Sequence, residues 1–334
     1  MSRYWPIIKL LPVKTNFKFV GFAKYAAVLS VLAVSGSIFM TLFPFAPPCG
    51  GLNCGVDFTG GALLEVETSP RAVDLAVARE ALNELGLQDV QVQNYGTPSD
   101  PQGREHAMVR FQPPADQSSA ESMQEARAAL QSALGEDIRF TRQEVVGPKV
   151  SGELFTGGVI ALLIAIGLML VYIWFRFEWQ FGLGAVAGLF HDVILVFGLF
   201  ALTKMEFTLT AVAAVLTVIG YSMNDTVVVF DRLRENLRKY KKMPLRDVID
   251  LSINETLSRT IITGVTALMA LAALAILGGE SLFAFSVALM FGIVFGTYSS
   301  IYVGAPIILL WGVKRGEMGD DEPEAIKLGM ASKP

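Results

Sequence analysis

Six long apolar runs govern what this chain can fold into. They lie at about 25–43, 154–175, 181–203, 207–230, 260–277 and 281–311. A helix rises about 1.5 Å per residue, so roughly 20 apolar residues cross about 30 Å of hydrocarbon. Each run meets that length, and the pattern predicts a polytopic α-helical membrane protein with six transmembrane helices. Composition agrees: 17% of residues are charged, against about 25% in an ordinary soluble domain, and mean hydropathy is +0.49. The first run is too long for a signal-peptide core and no A-x-A site follows it, so it reads as an uncleaved helix. A lipoprotein reading of Cys49 fails because Pro47 and Pro48 stand where small residues are needed. Short turns at 204–206 and 278–280 separate the third run from the fourth and the fifth from the sixth. The last run is over-long, and Pro306 is expected to kink it.

Net charge is −4, but it is unevenly placed: residues 44–152 hold 15 acids and 8 Lys/Arg, and the rest holds 16 acids and 19 Lys/Arg. The acidic block reads as one water-exposed domain. No basic stripe points to nucleic acid. Basic residues cluster on one side of the runs, at Arg3, Lys9, Lys14, Lys18 and Lys24, at Arg232, Arg234, Arg238, Lys239, Lys241, Lys242 and Arg246, and at Lys314 and Arg315. Lys/Arg excess marks the cytoplasmic side. Both termini are therefore expected in the cytoplasm and 44–152 outside it. The expected organisation is an N-terminal segment 1–24, a first helix 25–43, an outer (periplasmic) domain 44–152, five helices in 153–313 with a basic cytoplasmic loop at 231–258, and a cytoplasmic tail 314–334.

In the outer domain, β-rich stretches at 62–68, 90–95, 107–111 and 138–146 alternate with helix-like stretches at 72–85 and 119–134. Pro98, Pro101 and Gly103 mark the middle turn. The order β-α-β-β-α-β is the split βαβ arrangement of ferredoxin-like α+β domains. In the basic loop, Leu245, Val248, Ile249 and Ile253 have helical spacing, which predicts a helix lying along the membrane surface and leading into the fifth span.

No P-loop, GxSxG, HExxH or dinucleotide fingerprint is present. With His106 and His191 the only histidines, neither a metal site, nor a cofactor, nor an enzymatic function is expected. Cys49 and Cys54, in PPCGGLNC, form either a small disulfide loop or two free thiols. What stands out is charge inside apolar helices, where an ionisable group is expensive and often belongs to an ion path. Asp225 follows Asn224 near the inner end of the fourth run, and Arg259 opens the fifth. The two carry either a pair suited to a proton carrier, or a snorkelling arginine and a hydrogen-bonded packing acid. His191–Asp192, in the third run, is either a local pair holding helices together or a relay. Gly184/Gly188 and Gly292/Gly296 have the small-xxx-small spacing of close helix packing.

GVDFTGG at 55–61, GYSMNDTVVVFDRLREN at 220–236, SRTIITG at 258–264 and TYSSIYVGAP at 297–306 resemble, in order and over nearly the whole chain, the SecD/SecF family of protein-export membrane proteins. The six-helix layout with a large first outer loop also resembles half of a resistance-nodulation-division (RND) transporter. The resemblance implies a location in the cell inner membrane and a SecD partner supplying six further helices. It implies association with the SecYEG channel and the SecA motor, and use of the proton-motive force to promote late translocation of unfolded preproteins. It places the relay acid on Asp225, with Asn224 beside it in the same motif, and its basic partner on Arg259. It also implies a swivel at Gly55, Asp57, Gly60 and Gly61. The Cys49/Cys54 loop departs from the family's pattern. Protonation of Asp225 would then repack the fourth and fifth helices and tilt the outer domain. Two rival readings are an RND-type small-molecule exporter half and a non-transporting translocon scaffold.

Overall fold

The computed structural model describes residues 15–44, 49–68, 73–95, 105–114, 117–135 and 138–313. Arg3, Lys9, Lys14, Pro47, Pro48, the turn residues Pro98, Pro101 and Gly103, and the tail with Lys314 and Arg315 lie outside the described residues. In chain order the principal elements are α1 (Phe19–Leu42), β1 (Gly61–Thr68), α2 (Leu75–Asn83), β2 (Gln88–Tyr95), β3 (Glu105–Gln112), α3 (Ser119–Leu134) and β4 (Arg139–Val146). Then follow α4 (Pro148–Arg176), α5 (Trp179–Thr203), α6 (Leu209–Lys239), α7 (Leu245–Leu277), α8 (Glu280–Ser299), a π-helical turn (Ser300–Gly304) and α9 (Ala305–Trp311). The chain divides into two compact units, one of Met1–Asn53 with Ala161–Pro334 and one of Cys54–Ile160.

In the second unit the strands form one antiparallel sheet in the order β2-β3-β1-β4. Alternation along β1 sends Ala62, Leu64 and Val66 into a core shared with Ala78 and Leu82 of α2 and Met123, Ala126 and Leu130 of α3. Side chains alternate across a strand, so Leu63, Glu65 and Glu67 take the other face. There Arg142 of β4 bonds Glu65 at 3.2 Å and Glu144 at 2.7 and 2.9 Å. Asp74 caps α2 by accepting from the Ala76 and Val77 N–H groups. Ser118 and Glu121 form a reciprocal capping box on α3. The Ser118 hydroxyl and N–H hold the exposed Glu121 carboxyl below its usual range.

Six helical segments of the chain are long and apolar enough to cross a membrane. Among them α5 and α6 form the buried centre, while α1, α4 and α7 keep most of their apolar surface exposed. The start of α1 has no side-chain cap of its own. Of its orphan N–H groups, that of Val20 is met from α7, by Asp250 at 2.9 Å, and just before the helix Asn254 Oδ1 accepts from Phe17 N–H at 2.9 Å.

The basic stretch 231–258 is not a loop. It is helical except at 240–244, because α6 runs on to Lys239 and α7 begins at Leu245. Buried Phe230, Leu233 and Leu237 continue the apolar stripe of α6 past its first charges, and buried Val248, Ile249 and Ile253 do so for α7. The segment expected to lie along the membrane surface is therefore the first part of α7, packed into the bundle. In the last span the irregularity takes the form of a π-turn just before Pro306, with the Ala305 N–H reaching the Ser300 carbonyl. A proline has no N–H to give the preceding turn, and an extra residue per turn absorbs the mismatch.

Candidate functional site: two buried carboxylates in the helix bundle

The first carboxylate belongs to Asp192, 1% exposed on α5. Its Oδ1 lies 2.8 Å from Nδ1 of the neighbouring His191. Its Oδ2 accepts from the Ser222 hydroxyl of α6 and, at 2.7 Å, from the Ser299 hydroxyl at the end of α8. The His191 ring stacks on Tyr298 at 5.9 Å. Tyr298 in turn donates to the Ala26 carbonyl of α1 at 2.8 Å and lies 3.0 Å from Ser30 Oγ. His191 Nε2 is buried and has no hydrogen-bond partner among the described residues. His191 and Asp192 thus tie α5 to α1, α6 and α8 at one level.

The second carboxylate is Asp225 on α6, 6% exposed. Thr260 of α7 donates to its Oδ1 at 2.7 Å, and Ser300, first residue of the π-turn, approaches Oδ2 at 3.4 Å. Arg259 makes no ion pair with it among the described residues. The reason is helical geometry. Successive residues are rotated by about 100°, so α7 presents buried Thr260 to Asp225 and turns Arg259 to the exposed surface. Asn224, one residue before Asp225, is likewise exposed. Of the three residues read as a relay, only Asp225 is inside this bundle.

Glycines let the helices close on these groups. A Cβ on Gly184 of α5 would sit 2.5 Å from the Gly304 carbonyl oxygen of the π-turn. One on Gly296 would sit 3.1 Å from Ser222 Cβ. Removing those Cβ atoms is what allows Ser222, Ser299 and Ser300 to reach two acids on two helices. The residues that sequence reasoning passed over are these hydroxyls and Thr260. Their signal was present as hydroxyl residues within apolar runs, at Ser258-Arg259-Thr260 and Thr297-Tyr298-Ser299-Ser300.

The glycines of the expected swivel lie in the smaller unit and are tightly held. Gly60 and Gly61 have φ of +73° and +100°, a region that favours glycine. A Cβ on Gly61 would meet the Phe111 carbonyl oxygen at 2.7 Å, and Gln112 Nε2 donates to the Gly60 carbonyl at 3.1 Å. Gly55 caps the single helical turn Val56–Thr59, which contains Asp57. Both cysteines, Cys49 and Cys54, are disulfide-bonded. No cluster of His, Cys, Asp or Glu able to hold a metal occurs among the described residues.

The family model described as protein export membrane protein SecD/SecF, C-terminal, matches residues 126–314, and that of the SecD/SecF GG motif matches residues 50–70. Protein translocase subunit SecF of Cereibacter sphaeroides is 47% identical over 313 residues, covering 92% of this chain and 94% of its own length. That of Rhodobacter capsulatus is 46% identical over 322 residues, covering 94% of each. That of Rickettsia bellii is 41% identical over 311 residues, covering 93% of this chain and 98% of its own. Among solved structures, SecDF of Thermus thermophilus, described as a translocon-associated membrane protein, superposes with a TM-score of 0.76 at 33% identity. SecDF in a super-membrane-facing form superposes with a TM-score of 0.61 at 34% identity. The chain spans 40% of the length of each of those SecDF chains, with 91% of itself covered.

Proposed function

The chain belongs to the SecD/SecF family of protein-export membrane proteins, and from that membership we infer that it is a multi-pass accessory subunit of Sec-dependent protein export. In this reading it pairs with a SecD half and works beside the SecYEG channel and the SecA motor. It uses the proton-motive force across the inner membrane to promote late preprotein translocation, without an enzymatic step. Both termini lie in the cytoplasm, and the ferredoxin-like unit lies on the far side.

The observation that carries the reading is the setting of Asp225. Its carboxyl group is buried and met by hydroxyls rather than by a cation. A hydroxyl can donate to a carboxylate and accept from a carboxylic acid, so either protonation state is accommodated. A buried arginine would hold the charged form. The proton changes what Asp225 asks of Thr260 on α7 and of Ser300 on the π-turn, and those two elements move. Arg259 and Asn224 support a relay completed by a partner, because they stand on the outer surface of the six helices, where a second six-helix half would meet them. The drive is about 2.3 kcal/mol per charge per 100 mV, enough to bias a diffusing chain rather than to unfold one.

The test is export of a reporter preprotein into membrane vesicles whose only copy of this subunit is Asp225→Asn, with complex assembly verified. The expected result is an intact complex and export reduced to the level seen without the subunit. Export that keeps its full dependence on the proton-motive force in this variant sinks the proposal and favours a scaffold.

A further inference from the structure

We propose that His191 and Asp192 form a second proton-binding site, and that the consecutive serines Ser299 and Ser300 at the π-turn couple its occupancy to Asp225. The inference rests on Asp225 being the relay acid and adds the group that regulates it.

The pair is built to take one proton. With Nδ1–H donated to Asp192 Oδ1, Nε2 carries the ring's lone pair inside the bundle, and no protein group among the described residues meets it. A proton added at Nε2 gives an imidazolium beside the carboxylate. The net charge of the pair goes from −1 to 0 (His neutral and Asp charged, then both charged), with no bond broken. No Lys or Arg contacts the pair among the described residues. Packed against it are Ser222 from α6, Ser299 and the titratable Tyr298 from α8, and Ser30 of α1 behind Tyr298. Asp225 is faced by Thr260 from α7, by Thr297 and Ser300 from the last span, and by Tyr221 on its own helix.

The coupling lies in two hydroxyl protons with two acceptors each. Ser299 Oγ lies 2.7 Å from Asp192 Oδ2 and 3.1 Å from the Gly296 carbonyl. Ser300 Oγ lies 2.9 Å from the Thr297 carbonyl and 3.4 Å from Asp225 Oδ2. One proton serves one strong bond at a time. In this state Ser299 faces its acid and Ser300 faces its own helix. The two residues are consecutive, Ser299 ending α8 and Ser300 opening the π-turn, so a shift that slackens Ser299 on Asp192 moves Ser300 against Asp225. Protonation of the pair weakens the pull on Ser299, and Ser300 is then available to Asp225. The two sites titrate as an interacting system.

The test is infrared titration of carboxyl bands in the purified complex with its partner half, reconstituted in lipid. Wild type is compared with Asp225→Asn, which identifies the Asp225 band, and with His191→Gln and Ser299→Ala. Co-purification of the partner confirms folding of each variant. His191→Gln and Ser299→Ala are each expected to move the midpoint of the Asp225 band by about one pH unit, the size of coupling that makes two sites titrate together. An Asp225 band whose midpoint is the same in both variants as in wild type overturns the coupling and leaves the relay reading standing. If no titrating band is lost in Asp225→Asn, the relay reading fails, and this inference fails with it.

Discussion

Gly184 and Gly188 share one spacing motif but have different neighbours, and alanine at each should act in opposite directions. A Cβ on Gly184 would lie 2.5 Å from the Gly304 carbonyl oxygen and 3.2 Å from Phe230 Cζ. Real Cβ atoms stay at least about 3.0 Å from such groups, so the helix and the π-turn must separate by about half an ångström. The obstacle is backbone, which has no rotamer to escape through. Overpacking of this kind costs about 1–3 kcal/mol. Alanine's helix preference over glycine returns about 0.8–1 kcal/mol, leaving Gly184→Ala destabilised by up to about 2 kcal/mol. At Gly188 the nearest atom to a new Cβ is Ser299 Oγ at 3.7 Å, an ordinary contact. Only the helix preference remains, and Gly188→Ala should be stabilised by up to about 1 kcal/mol. The assay is the apparent unfolding midpoint of the purified protein in detergent, followed by tryptophan fluorescence. For a domain of this size the Gly184→Ala midpoint should fall, by up to roughly 8 °C, and the Gly188→Ala midpoint should rise. Equal shifts in the same direction would refute the argument, because the spacing motif alone would then account for both glycines.

Two further predictions concern the smaller unit. Ser118→Ala should cost about 1 kcal/mol through loss of the α3 cap, seen as faster hydrogen exchange in the first turn of α3 and not in α2. The Glu121 carboxyl is held below its unfolded value, so its contribution is complete above the unfolded pKa and is lost as pH falls through the folded one. The exchange difference between wild type and Ser118→Ala should therefore shrink at acid pH. Arg142→Met should destabilise the unit by about 3–5 kcal/mol by removing the cation from buried Glu65. Adding Glu65→Gln should recover part of that loss, and a denaturation double-mutant cycle with no recovery would remove the pair from the account.

The membrane fold was legible because its signal is length: a run of about 20 apolar residues has few other uses. The family's motifs were legible as contiguous strings. Helix ends were harder to read. Asp231 and Arg232 look like the edge of a membrane span, yet Leu233 and Leu237 carry the same buried stripe onward, and the helix follows the stripe rather than the charge. In the candidate site the acids were readable because charge is costly in hydrocarbon. Their partners were not, because the choice between Arg259 and Thr260 depends on a rotation of about 100° about α7. The sequence places them one residue apart, and only packing says which one faces inward. The π-turn was foreshadowed by Pro306 alone, and its role in setting Ser299 and Ser300 on two different acids needs the third dimension.

The clasp between α1 and α7 has a consequence for biogenesis. Val20 and its acceptor Asp250 are 230 residues apart. At a synthesis rate of about 5–20 residues per second, α1 waits roughly 10–50 s before the ribosome delivers the side chains that satisfy its N-terminus. Until then its first N–H groups depend on water and lipid headgroups. The first helix to be made is thus among the last to be secured, and its clasp reports that synthesis has reached the first turns of α7.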